Sequence, residues 1–239
     1  MKKTIILLLA LLSSGIISAQ DNASSASSVS KLRFGFKVAP SLAWLKPDVK
    51  NFDSNGSKIG FIYGIIMDYN FAKNYAFGTG LEVSYRGGKI KYNYPFSSGS
   101  TVHTYSGDDT YNIKYIELPL TIKMKTNEIG YMTYYGQFGF QPGFKISAKE
   151  DFTQTKTTPS GPDEVSADSD ANADVASVNL SILFGIGLEY RISGNTSILV
   201  GLQFTNGFTD ILTGTNHQDT STELKAISNY FSLNVGVFF

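Results

Sequence analysis

The chain has 239 residues, 20 acidic against 20 basic, no cysteine, and 17% charged beside 13% aromatic residues with 23 glycines. That length suits a single all-β domain with its own core or barrel, and a neutral balance gives no electrostatic ground for a nucleic-acid partner. No disulfide framework is available, and a mean hydropathy of −0.06 excludes a bundle of membrane-spanning helices.

The chain opens with "MKKTIILLLALLSSGIISAQ": two lysines, an apolar run from Ile5 to Leu12, then small residues ending at Ala19. This predicts a secretory signal peptide over residues 1–19, because the apolar run falls short of the roughly 20 residues that a spanning helix needs. No cysteine follows it, so no lipoprotein anchor can form. "QDNASSASSVS" reads as a Ser-rich leader over 20–30, and the folded domain is expected over 31–239.

From Lys31 onward the pattern has period two, the signature of strands. The first strand sets Leu32, Phe34, Phe36 and Val38 against Arg33, Gly35, Lys37 and Ala39. The second sets Ile59, Phe61, Tyr63, Ile65, Met67, Tyr69 and Phe71 against Gly60, Gly64, Asp68 and Asn70. Only "AKN" separates it from the third, Tyr75 to Arg86, so these two form a hairpin. The fourth, "YNIKYIELPLTIKMK", changes phase between Tyr115 and Ile116, which predicts a bulge there. The fifth alternates Met132, Tyr134, Phe138, Phe140, Phe144 and Ile146 with Tyr135, Gln137, Gln141 and Lys145. The sixth, Val178 to Tyr190, returns through "SGNT" into the seventh, "SILVGLQF", and the eighth, "NYFSLNVGVFF", ends at Phe239.

Tight turns and long loops alternate along the chain, so every tight turn lies at one end. This predicts an eight-stranded antiparallel up-and-down transmembrane β-barrel of the outer membrane. The face opposite the apolar one carries mostly Gly, Ser, Asn, Gln and Ala, which suits a crowded narrow lumen better than a water-exposed sheet. Aromatics gather on the apolar face near the tight-turn end, at Tyr69, Phe71, Tyr75, Phe77, Tyr134, Tyr190 and Phe239.

Inward positions carry Arg33, Lys37, Asp68, Glu82, Arg86, Glu117, Lys123, Lys145, Glu189 and Arg191. Glu82 and Glu117 are expected at similar heights on neighbouring strands. Paired carboxylates can do acid–base work, but in so narrow a lumen they are read as members of an ion-pair network that fills it. "DSDANAD", 168–174, spaces oxygen ligands like a calcium loop, yet Ala173 stands where glycine is needed and Asn179 where a bidentate glutamate belongs. An acidic solvated loop is the expectation there, with no metal site. His103 and Ser106 lie in a loop-like stretch without a supporting carboxylate, and His217 stands alone, so no catalytic residues and no cofactor are expected.

The signal peptide, "YIELPLTIKMK", the "GIGLEYRIS" hairpin and the closing "VGVFF" resemble the outer-membrane β-barrel family of Bacteroidetes-type bacteria, often labelled porin-like or PorT-like. The resemblance covers essentially the whole mature chain. It implies residence in the outer membrane of a Gram-negative cell, contact with membrane lipid, and recognition by the outer-membrane insertion machinery, with Phe239 as the assembly signal. It specifies assembly better than activity. The expected role is structural or surface-interacting through the outer loops, and not enzymatic. The other readings are a secretion-system accessory, which the PorT-like label implies, a lipid-modifying enzyme, and a soluble ligand-binding barrel.

Overall fold

The structure is a computed structural model that describes residues 30–98, 101–158, 161–214 and 224–239. The signal peptide and most of the leader lie outside these residues, as does His217. The strands are β1 (Leu32–Pro47), β2 (Phe52–Ser54), β3 (Lys58–Ala72), β4 (Tyr75–Ser98), β5 (Thr101–Glu117), β6 (Leu120–Lys125), β7 (Met132–Thr158), β8 (Gly161–Asp170), β9 (Val178–Ser193), β10 (Thr196–Gly207) and β11 (Ala226–Phe238). Neighbours pair antiparallel around a ring, β1, β3, β4, β5 with β6, β7, β9, β10 and β11, and β11 returns to β1 through partners from Gly35↔Phe238 to Pro47↔Ala226. β5 and β6 make one wall strand, interrupted at Leu118 and Pro119 because proline has no N–H for the ladder. Eight strands therefore form the wall.

Short turns join β3 to β4, β6 to β7 and β9 to β10, all at one end. In the last of these Gly194 takes φ +53°, a left-handed conformation that glycine adopts without steric cost. At the opposite end the strands run on past the barrel. β4 and β5 pair as far as Ser98↔Thr101, β8 adds to β7 from Lys149↔Asp170 to Thr158↔Gly161, and β2 adds to β4. The long connections expected as loops are therefore largely a sheet in the order β2, β4, β5, β7, β8. Segments such as "DFTQTKTT" are rich in strand-forming residues but lack amphipathic alternation, because neither face is committed to lipid.

The bulge also differs from the expectation. On β5 the residues Tyr111, Ile113, Tyr115 and Glu117 all point inward without a change of phase. The irregularity lies in the partner strand, where Lys114 pairs with Ser147 and Tyr115 with Lys145, leaving Ile146 as the extra residue. The apparent shift at Tyr115 arises because the interior changes from polar to apolar there.

The two faces are inverted relative to a water-soluble domain. Phe36, Phe140, Phe184, Ile186 and Leu202 are exposed, Ile186 at 67%, while Glu82, Glu117 and Lys123 are buried to 3% or less. A monomer in water does not expose so continuous an apolar belt, so the belt meets lipid. The expected aromatic girdle at the short-turn end is joined by a second at the other rim. There Trp44, Phe204 and Phe231 pack with centroids 4.8–6.3 Å apart, and Phe61, Tyr63 and Tyr85 form a second group with spacings of 6.3 Å.

Candidate functional site

The interior of the wall is occupied in three layers. Near the short turns, Arg33 of β1 reaches Glu189 of β9 at 2.6 Å and also donates to the Ser197 hydroxyl. Lys123 and Lys125 of β6 both bind the Asp68 carboxylate of β3, at 2.8 and 3.0 Å, and lie 3.6 and 3.5 Å from Glu189. Two anions thus share three cations. The Phe238 ring closes this layer, with the Arg33 guanidinium 4.4 Å and the Lys123 ammonium 5.0 Å from its centroid.

The middle layer carries both carboxylates expected at one height. Glu82 and Glu117 are direct register partners on β4 and β5. Each has its own cation: Lys37 to Glu82 at 2.7 Å and Arg86 to Glu117 at 3.1 Å. Glu117 also accepts from Gln141 at 2.8 Å and from the Tyr230 hydroxyl at 3.2 Å, while Arg86 donates to Asn179 at 3.0 Å. Gln203 links to Gln141 and Asn234 to Gln203, so the hydrogen bonds extend across the lumen. Such an arrangement compensates buried charge by pairing.

The third layer, under the outer rim, is apolar. Leu45, Ile90, Tyr92, Tyr111, Ile113 and Tyr115 from the wall meet Phe52 of β2 and, from the connections, Ala171, Val175, Ile211, Leu212 and Leu224. This plug was not anticipated from the sequence. Its signal is the odd-numbered apolar run Tyr111, Ile113, Tyr115, which continues the inward parity of Glu117.

Two of the inward charges named from the sequence lie elsewhere. Arg191 stands at the short-turn end, where its side chain, 46% exposed, pairs with Glu128 at 2.7 Å. The strand slips register there, Thr196 facing Ser193 and Ser197 facing Arg191, which carries Arg191 beyond the lumen. Lys145 is half-buried at the bulge and donates to the backbone oxygens of Asn172 and Val175. Lys125, unnamed from the sequence, joins the inner layer; it follows Lys123 by two positions and so shares its face.

Among the described residues the remaining candidates for catalysis or metal binding lie on β5, β8 and β9 and the connections between them. Asp168 lies on β8, whereas Asn179 is inside the barrel on β9, so the calcium-like spacing is split between two strands. Asn172 uses its side-chain oxygen to accept the Ala148 amide at 2.9 Å. Among the described residues no three His, Cys, Asp or Glu side chains gather as metal ligands. His103 and Ser106 belong to the β4–β5 ladder, opposite Phe96 and Asn93. The Phe239 side chain is exposed on the lipid face, 5.9 Å from Phe36, and its amide donates to the Phe34 carbonyl at 2.9 Å.

No curated protein matches the sequence. Among solved structures, the chain is similar to Neisserial surface protein A, with 11% identity, 87% of this chain and 96% of that chain covered, and a TM-score of 0.46. It is similar to Ail, the attachment invasion locus protein of Yersinia pestis, with 15% identity, 87% and 98% covered, and a TM-score of 0.33. It is also similar to the outer membrane protease OmpT of Escherichia coli, with 9% identity, 90% and 98% covered, and a TM-score of 0.35. The model of the outer membrane protein beta-barrel domain family matches residues 18–213, and the chain belongs to that family, an integral β-barrel of the Gram-negative outer membrane.

Proposed function

We propose that this barrel is a closed, non-conducting surface protein without catalytic function, a membrane-fixed base that holds the β2–β4–β5–β7–β8 sheet outside the cell for contact with a partner. The observation that carries this reading is the filling of the lumen. Arg33, Lys37, Asp68, Glu82, Arg86, Glu117, Lys123 and Glu189 act in it as an ion-pair plug, with the apolar layer above them. The space between the two charged layers is about 40 Å³, bordered by Lys37, Asp68, Glu82, Lys123, Gln203 and Phe238. That holds a few waters at most, whereas water-filled channels belong to barrels of roughly 16 strands. In this reading residues 1–19 direct export, 20–30 form a leader, 31–239 make the barrel, and Phe239 with its alternating strand is what the insertion machinery recognises.

Planar-bilayer recording of the purified full chain tests the closed state, with no steady conductance expected. Large, regular, voltage-stable steps from the monomer would refute it. Cross-linking on intact cells through Lys156, on the protruding part of β7, tests the presentation of the sheet. Labelling only after the cells are broken would place that sheet on the periplasmic side and overturn the reading.

A further inference from the structure

The β3–β4 register ends outward at Phe61↔Tyr85, and β4 is next bonded where its Lys89 carbonyl accepts the Asn55 amide at 2.8 Å, beside the start of the β2 ladder at Ser54↔Ile90. Between these points the wall has a recess of about 180 Å³, bordered by Lys58, Ile59, Tyr85, Asn112, Lys114 and Lys149 among others. Its height follows from the register. Phe61, Tyr85, Lys114 and Ser147 stand side by side on β3, β4, β5 and β7, and Gly87, Asn112 and Lys149 form the next row outward. Phe61 and Tyr85 belong to the outer aromatic girdle, so the recess opens where the apolar belt ends. Its apolar edges are Ile59, 81% exposed, and Tyr85, 42% exposed. Lys114 stands in the same row as Tyr85, and Lys149 one row farther outward.

The cations are held in place. Lys58 crosses the gap, where Gly87 contributes no side chain, and donates to the Asn112 side-chain oxygen. Asn112 in turn donates to Asp151 at 2.9 Å. The Lys114 ammonium sits 4.8 Å from the centre of the Tyr85 ring. Asp170, opposite Lys149 in the register, accepts the Asn172 amide at 2.8 Å. Arg86 at the back of the recess is bound to Glu117 and Asn179, so Lys58, Lys114 and Lys149 are the charges that face its mouth.

We propose that this recess binds the phosphorylated headgroup of an outer-leaflet lipid. The three ammonium groups meet the phosphate, and Ile59 and Tyr85 meet the first carbons of the acyl chains. Lysine is suited to phosphate as a point charge, and lysines at the surface of an anionic leaflet attract its headgroups. The recess sets cationic groups beside apolar ones at the edge of the belt, where the phosphate of such a lipid meets the start of its acyl chains.

The test is retention of lipid by the folded full chain, measured by native mass spectrometry with bis-phosphorylated lipid A, its dephosphorylated form, and inorganic phosphate alone. Phosphorylated lipid A should be retained at least tenfold more tightly than the dephosphorylated form, and millimolar inorganic phosphate should not displace it. Lys58→Gln with Lys114→Gln and Lys149→Gln should remove that preference, whereas Lys91→Gln, on β4 beyond the recess, should leave it intact. If the triple variant does not fold, judged by its migration on gels before and after boiling, Lys149→Gln alone should reduce retention about threefold. Unchanged retention by the triple variant, or by Lys149→Gln where that variant is used instead, would overturn the proposal. So would equal retention of the two lipids, or displacement by inorganic phosphate at sub-millimolar concentration, which would assign the recess to a free anion.

Discussion

Replacing Glu117 by leucine should destabilise the barrel severely, and replacing its partner as well should undo most of the damage. Arg86 and Glu117 have side-chain exposures of 1% and 2%. Glu117→Leu leaves the guanidinium buried with the Asn179 oxygen and the Tyr115 and Tyr230 rings but without its carboxylate, and removing one member of a buried pair costs about 3–5 kcal/mol. It also takes the acceptor from Gln141 and Tyr230, whose bonds to Glu117 are 2.8 and 3.2 Å long. Arg86→Met should cost less, because Glu117 keeps both of those donors. The double variant removes both charges and fills the layer with apolar atoms of similar volume, an exchange that is often neutral or stabilising by about 1–4 kcal/mol. The assay is urea-dependent refolding into lipid vesicles, with the folded fraction read from migration on unboiled gels. A coupling energy of at least about 3 kcal/mol is expected from the cycle, far above the roughly 0.5 kcal/mol scatter of independent sites. Additive effects, or a Glu117→Leu barrel as stable as the parent, would refute the idea that paired charge holds the middle layer.

Phe184, outward and midway along β9, should tolerate leucine, but Phe184→Arg should cost about 2–4 kcal/mol at the bilayer centre and sharply lower the fraction assembled in outer-membrane preparations. Equal assembly would mean that this face does not meet lipid. A Cβ on Gly201 would lie 2.3 Å from the Tyr135 hydroxyl oxygen and 2.9 Å from the Ile186 carbonyl, so Gly201→Val should cost about 1–3 kcal/mol by overpacking. Gly136→Ala, with nothing within 4 Å, should leave the urea midpoint where it was. Arg191→Ala should change stability by less than about 1 kcal/mol, since its partner Glu128 is itself partly exposed. Arg33→Ala, which takes from the buried Glu189 its shortest ion pair and leaves only Lys123 and Lys125 at 3.6 and 3.5 Å, should cost more in the same titration.

Alternation alone made the wall legible, because a strand between lipid and a packed lumen has to commit one parity to each. Phe34, Phe36 and Val38 against Arg33, Gly35 and Lys37 is enough to orient β1. Parity fails where both sides of the strand share one character. Tyr111, Ile113 and Tyr115 are apolar and inward, facing the plug, so they imitate a lipid face and suggested a bulge that belongs to β7. The same loss of contrast hid the sheet beyond the membrane, where residues 149–158 and β8 meet water on both sides. Inward parity was readable at Arg33, Lys37 and Glu82, but Lys125 escaped it, and pairing was not legible at all. Which cation meets Glu82 depends on how strands distant in sequence come together, and Arg191 left the lumen through a local slip that no periodicity records. The basic recess was equally hidden, since Lys58, Lys114 and Lys149 become neighbours only through the register of β3, β5 and β7.

The pairing of β1 with β11 makes the first and last strands of the wall a seam. Interior bonds tie distant parts of the chain together: Tyr230 to Glu117 spans 113 positions and Arg33 to Glu189 spans 156. No single hairpin can make these bonds, because their partners sit on strands that no one turn joins, whereas Arg86 and Glu117 already meet within the β4–β5 hairpin. The Arg33–Glu189 and Tyr230–Glu117 bonds therefore arrive with closure of the seam, once the final strand has been delivered. A chain shortened by β11 would lose more than one eighth of its wall. Arg33 and Glu117 would lack their lids of Phe238 and Tyr230, and the sheet would hold an open edge lined with unshielded charge. Such a half-built barrel marks itself as unfinished, and that makes completion a single cooperative event late in assembly.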